Sequence, residues 1–325
     1  MKRLIVEEND GNQRVDRFLK KYFEKAPLSF LYKNLRKKNI KVNGKKADPK
    51  DILQPGDYID LYLKDETIEK FRRDRRRKKS SRYPEILFEN QHIILMKKKV
   101  GILSHNDKKA YEDNMVDRMV DYLIFKGEYN PRQEQTFRPG ICNRLDRNTS
   151  GIIIGAKDAD SLQLLNTMMR SRMINKYYLA LVHGVVKEDF NLQLHLDKSR
   201  KNQMSVKEEG KQAITKFKVL ARSKDYTLLS CDLITGRTHQ IRVSLEHAGY
   251  PIVGDRKYGD PKINGFFQQK FGYDSQFLHN YSIAFEGEGT FLEELSHRQF
   301  YYPPEKREAI ILDRLFPRHK GKWPW

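Results

Sequence analysis

At 325 residues the chain has room for one large domain and one small one. A net charge of +20, with 33% charged residues, points to a polyanionic partner, nucleic acid before an anionic membrane. Two cysteines, Cys142 and Cys231, allow no disulfide framework and no Cys-rich metal site, and fit a reducing compartment. No apolar run approaches the ~20 residues of a spanning helix. Glu7 and Glu8 fall where a signal peptide needs its apolar core. A cytoplasmic protein is expected, with no membrane contact and as a monomer.

Residues 1–63 read as a small basic module. Val15, Phe18, Leu19 and Tyr22 fall at helical spacing, leaving Arg14, Arg17, Lys20 and Lys21 for other faces. Ser29 is placed to cap a second helix carrying Leu31 and Leu35. That helix runs out through Arg36, Lys37 and Lys38, and Lys41 follows on a strand that enters the Asn43-Gly44 turn. Tyr58–Leu63 alternates as a strand. Two short helices and then strands, with the cations on the second helix and its exit, resemble the S4 RNA-binding domain. Arg36, Lys37, Lys38 and Lys41 are therefore read as RNA contacts in preference to a merely solvated face.

Residues 64–85 are read as a basic linker, because the run from Arg72 to Arg82 has little to pack. Residues 1–82 hold 25 Lys/Arg against 13 Asp/Glu, so the charge concentrates at this end. An electrostatic arm in front of a larger working domain fits that asymmetry better than a targeting segment.

Residues 86–318 read as the large domain. Strands are expected at Ile86–Phe88 and His92–Met96, then a helix around Asn114–Phe125. The stretch Asn143-Arg144-Leu145-Asp146-Arg147-Asn148-Thr149-Ser150-Gly151 sets one acid between two arginines and leads into the apolar run Ile152–Ile154. It predicts a polar loop feeding a buried strand. An acid beside cations stays ionised, and as such it serves as nucleophile, base or ion-pair partner. A helix with Leu162, Leu165, Met168 and Met169 on one side follows, its methionines read as core. Lys176–Val182 reads as a strand, and residues 187–212 as a polar edge or loop. Ala213–Leu220 and Tyr226–Leu233 read as paired strands. In Thr235-Gly236-Arg237-Thr238-His239-Gln240-Ile241-Arg242, Thr238 is placed to cap a helix on which His239 and Arg242 share a face. Pro251–Asp255 is expected to be a strand. Many strands with few long helices predict an α+β domain around a mixed, mostly antiparallel sheet. No phosphate-cradling glycine loop occurs.

Together, Arg144–Gly151, Lys176–Gly184 and Leu233–Gly259 resemble the RluA family of RNA pseudouridine synthases, over residues 86 to about 315. The resemblance implies isomerisation of uridine to pseudouridine in RNA, with no cofactor and no metal. Large-subunit ribosomal RNA is the family's commonest target for this layout, with transfer RNA as the other candidate. It implies that Asp146 is the catalytic aspartate and that Arg242 pairs with it. It also implies that Tyr178 packs on the target base and that Arg144 takes the flipped base's place in the stack. Asn143 stands where the family usually has histidine, and Lys99 where it usually has proline. The first departure is read as a possible change in RNA positioning.

The residues themselves are compatible with these roles. A uridine within a stem has to be extruded, at a cost of roughly a few kcal/mol. A planar cation fills the gap, and an aromatic face supports the free base, worth about 1–3 kcal/mol. The plainer readings are an ion-pair role for Asp146, phosphate contact for Arg144 and Arg147, core packing for Tyr178 and capping or hydrogen bonding for His239. Lys176 is as fit for a salt bridge as for catalysis. Rival functions are a non-catalytic RNA-binding or ribosome-assembly protein and a nuclease. The lack of clustered metal-ligand carboxylates in the sequence weighs against the nuclease.

Overall fold

A computed structural model describes residues 1–72, 82–106, 112–198, 203–286, 292–321, 323 and 325. In the first part, helices Val15–Tyr22 and Leu28–Arg36 bury Phe18, Leu19, Leu31 and Leu35. They pack on a four-stranded sheet ordered Lys2–Ile5, Tyr58–Leu61, Ile40–Val42, Lys45–Lys46. The second helix starts one residue ahead of the expected cap: Pro27 occupies the cap position and Ser29 lies inside the helix. A further helix, Asp65–Phe71, fills the beginning of the span expected to be linker. Ile68 is buried and the Phe71 ring lies 4.5 Å from that of Phe30. The charge of this stretch masked a short apolar stripe, Ile68 and Phe71, that suffices to pack one helical turn. Residues 73–81 of that span lie outside the described residues, and its last residue, Glu85, begins a strand.

The second part is built on an eleven-stranded sheet. Its spine runs Met204–Val206, Phe190–Lys198, Lys211–Arg222, Tyr226–Leu233, Ile174–His183, Leu278–Phe285, Ser150–Ala156, Ile93–Lys98, Glu85–Glu89. Among the described pairings one is parallel, Ser150–Ala156 with Leu278–Phe285. The fold is therefore α+β with a mostly antiparallel sheet. The polar segment 187–212 supplies the edge strands at one end.

Both faces of the central strands are covered, which explains why Ile152–Ile154 shows no alternation. Ile153, Ile94 and Met96 pack with Met119 and Leu123 of helix Met115–Phe125. Ile152, Ile154, Ile93 and Leu95 pack with Leu165 and Met168 of helix Ala159–Arg170. Asn114 and Asp158 cap these two helices through their side chains.

Pro251–Asp255 is not a strand. It makes a single bridge, Ile252 with Val182, and then turns. Gly254 sits at φ +77, and a Cβ there would come within 1.9 Å of the Ser275 carbonyl oxygen. The tight turn swings Asp255 inward.

Candidate active site

The loop Asn143–Gly151 is fastened from every side. The Asn143 side chain donates to the Ile152 carbonyl (2.9 Å) and accepts from the Ile154 N–H (2.8 Å), imitating a missing strand neighbour. Ser104 Oγ bridges the N–H and carbonyl of Leu145. The Lys98 ammonium, fully buried, donates to the carbonyls of Asp146 (3.0 Å), Arg147 (3.0 Å) and Thr149 (2.7 Å). Burial pulls its pKa down to about 7, against the pull of the nearby Asp146 carboxylate. Gln276 donates to Thr149 Oγ1.

The exit of the loop is equally constrained. Gly151 lies at φ +134, and a Cβ would meet Asn280 at 2.5 Å, so only glycine lets the two strands come together. His279 accepts from Ser150 Oγ at Nδ1 (2.8 Å) and donates from Nε2 to the Tyr302 carbonyl (2.7 Å). A carbonyl only accepts, so the Nε2–H tautomer follows. Complete burial lowers the pKa of this ring to about 4.

Opposite the loop, helix Gln240–His247 presents Arg242, which is 6% exposed. Its Nε and Nη2 grip both oxygens of Asp255 at 2.6 and 2.9 Å. Its remaining nitrogen, Nη1, donates to Asp146 Oδ2 at 2.8 Å. Burial works to raise the Asp255 carboxyl, but the guanidinium and the N–H groups of Lys257 and Tyr258 hold it below its ordinary value. The Tyr258 ring lies under the Arg242 guanidinium, 5.0 Å from it. Gln240 ties the start of this helix to the neighbouring strand through the Ile214 carbonyl and Thr215 Oγ1.

His239 occupies the cap position in the left-handed region at φ 54 and makes no side-chain cap bond; Thr238 is not the cap either. The imidazole instead reaches Tyr258 Oη (3.0 Å) through Nδ1 and sets Nε2 3.7 Å from Asp146 Oδ2. Burial lowers its pKa, more than Asp146 raises it. Tyr178 is 5% exposed on strand Ile174–His183, and burial, with Asp146 and Cys231 nearby, raises its phenol above the ordinary range. Arg144, Asp146, Tyr178, His239 and Arg242 line one pocket of about 60 Å³, closed by Leu233, Ile241 and Leu278. A carboxyl group, a buried cation and an aromatic wall in one small cavity suit a planar, polar ring.

The family model for RNA pseudouridylate synthase matches residues 92–247. The "Ribosomal large subunit pseudouridine synthase C" of Buchnera aphidicola is 33% identical, covering 96% of this chain and 94% of its own. That of Escherichia coli K12 is 31% identical, covering 89% and 90%. The chain belongs to the RNA pseudouridylate synthase family. Its fold is also that of human RNA Pseudouridylate Synthase Domain Containing 4, at a TM-score of 0.56 and 20% identity over 71% of this chain and 92% of that one. This RNA pseudouridine synthase thus acts on RNA, and no helix among its described residues is long and apolar enough to cross a membrane.

Asp146, Arg242, Tyr178 and Arg144, far apart in the chain, meet at this one pocket. Arg147 does not line it and pairs with Glu112. Arg36, Lys37 and Lys38 are exposed on the N-terminal module, and Lys41 is half-buried over the Tyr62 ring at 5.1 Å. Asp255, Lys98 and the contacts of His239 were not anticipated. Asp255 sits inside the motif Gly254-Asp255-Arg256-Lys257-Tyr258-Gly259, which was noticed as a resemblance without a role for its acid.

Proposed function

We propose that this synthase converts specific uridines of structured RNA to pseudouridine, with large-subunit ribosomal RNA as its substrate. It acts as a monomer in the cytoplasm and without a cofactor. The observation that carries this reading is a single carboxylate, Asp146, aimed into a pocket by Arg242 and facing a buried tyrosine. The names of the relatives, which specify the large ribosomal subunit, support the choice of RNA.

The isomerisation breaks the bond from uracil N1 to ribose C1′ and forms one from C5 to C1′. C5 loses a proton, N1 gains one, and the composition of the RNA is unchanged. Asp146 is the group that attacks the sugar or the ring, or removes a ribose proton. Arg242, itself locked by Asp255, keeps that carboxylate oriented. Tyr178 gives the released uracil a face to turn against. Arg144, exposed at the pocket mouth, enters the stack in place of the extruded base. The N-terminal module is S4-like, spans residues 1–72, and holds RNA phosphates with Arg36, Lys37, Lys38 and Lys41.

Tritium release from RNA carrying uridine labelled at C5 tests the assignment. Asp146→Ala is expected to stop release while RNA binding persists; full release by that variant overturns it. A non-catalytic assembly factor was suggested by Asn143, but both polar ends of Asn143 are spent on backbone. Wild-type protein that binds ribosomal RNA and leaves every uridine unchanged would favour that alternative.

A further inference from the structure

Between strands Lys2–Ile5 and Gln13–Arg14 of the N-terminal module lies a single turn, Glu8–Asp10. Asp10 is fully buried, and it is buried against the catalytic domain. Its Oδ1 accepts from Thr136 N (2.7 Å), Thr136 Oγ1 (2.6 Å) and Phe137 N (3.0 Å), and its Oδ2 accepts from Gln135 N (2.6 Å). Gln13 adds a bond to Thr136 Oγ1 at 3.1 Å. Asn9 accepts from Ala159 N, the first amide of a catalytic-domain helix, and donates to Glu134.

Such an arrangement is unlike a passing surface contact. A carboxylate taken out of water needs its full complement of donors, and here four come from one three-residue segment of the other domain. Their geometry defines one orientation, since each donor is directional. The segment that grips Asp10 continues through Phe137, packed in the large core, and then through Arg138 and strand Gly140–Ile141 to Asn143. The module is therefore anchored directly upstream of the catalytic loop.

We propose that Asp10 is a positioning residue that locks the basic N-terminal module to the catalytic domain in one orientation, so that the two grip one folded RNA across a fixed span and select its uridine. This rests on the reading that the module holds RNA. A free module on a tether presents many spans, and many uridines reach the pocket. A locked module presents one and avoids the ordering cost on binding.

The test uses the full chain with Asp10→Asn and Asp10→Ala. Asparagine keeps the shape but turns an NH2 toward the Gln135 N–H. Faster hydrogen exchange at the amides of 135–137, with the rest of the protein unchanged, reports an open latch. On folded large-subunit ribosomal RNA, KM is expected to rise about tenfold, with kcat within about twofold of wild type and with pseudouridine at stray uridines. A short stem-loop that reaches only the catalytic pocket is expected to be turned over as by wild type. An open latch with wild-type KM and an unchanged modification map overturns the proposal, and so does unchanged exchange. If both Asp10 variants misfold, Asn9→Ala carries the same test: a smaller shift of KM and of the map in the same direction supports the lock, and none overturns it. Wild-type protein that modifies neither RNA overturns the parent reading, a result distinct from all of these.

Discussion

Arg242 and Asp255 form a two-point grip, at 2.6 and 2.9 Å, that leaves one guanidinium nitrogen for Asp146. A guanidinium held at two points does not rotate, so Asp255 fixes the direction in which the Asp146 carboxylate is held. Asp255→Ala is expected to lower kcat about 10²-fold while KM for RNA stays near wild type. Steady-state tritium release measures both, and a change confined to KM would contradict the role.

Lys98 is the knot of the catalytic loop. Lys98→Met keeps the apolar stem but removes the donor to the Thr149 carbonyl, while the Asp146 and Arg147 carbonyls keep the Thr149 and Gly101 N–H groups; a stranded carbonyl costs about 1–3 kcal/mol less whatever water recovers. A loss of about 1–3 kcal/mol in chemical denaturation is expected, with a fall in kcat as the loop loosens. Stability equal to wild type would mean that water replaces the ammonium fully.

Asn143 stands in for a strand neighbour by bonding the backbone of Ile152 and Ile154. Asn143→Ala is expected to cost about 1–3 kcal/mol, read as a shift in denaturation midpoint. The positions of modified uridines are expected to stay the same. A changed modification map at unchanged stability would return Asn143 to the effect on RNA positioning or selectivity read from its place beside Arg144.

His279 makes stability depend on acid. Its folded pKa is lowered to about 4 from an ordinary 6.5, so the unfolded chain binds the proton first. Its contribution is intact above pH 6.5 and is lost as the pH falls toward 4. The denaturation midpoint is expected to drop over that window, and His279→Gln, which titrates nothing, is expected to flatten this part of the curve. An identical acid slope in the variant would assign the loss to other groups.

Much of this site was legible because its parts lie in short, dense motifs. Asp146 between two arginines, Tyr178 on an apolar strand and Arg242 on a helix face each carry a local pattern. Asp255 carried none, because it reaches Arg242 only from a turn that Gly254 makes possible. Lys98 looked like one lysine of three. Its burial follows from facing Gly151 across the sheet, a register that no local pattern encodes. His239 was read as a capping or hydrogen-bonding residue, and the second holds: its ring bonds Tyr258, while its left-handed backbone turns it into the pocket, which no local pattern encodes. In the N-terminal module the helix Asp65–Phe71 was missed because its charged residues, Asp65, Glu66, Glu69 and Lys70, outnumber the two apolar residues that pack it.

The parallel pairing of Ser150 with His279 has a consequence for synthesis and folding. Those partners are 129 residues apart, and Gln276, which braces Thr149, is almost as distant. Contacts that close so long a stretch of chain form slowly. On the ribosome the catalytic loop therefore emerges long before its last braces. A nascent chain halted ahead of residue 276 carries Asp146, Tyr178 and Arg242 without the framework that holds their loop, and so gains activity only late in translation.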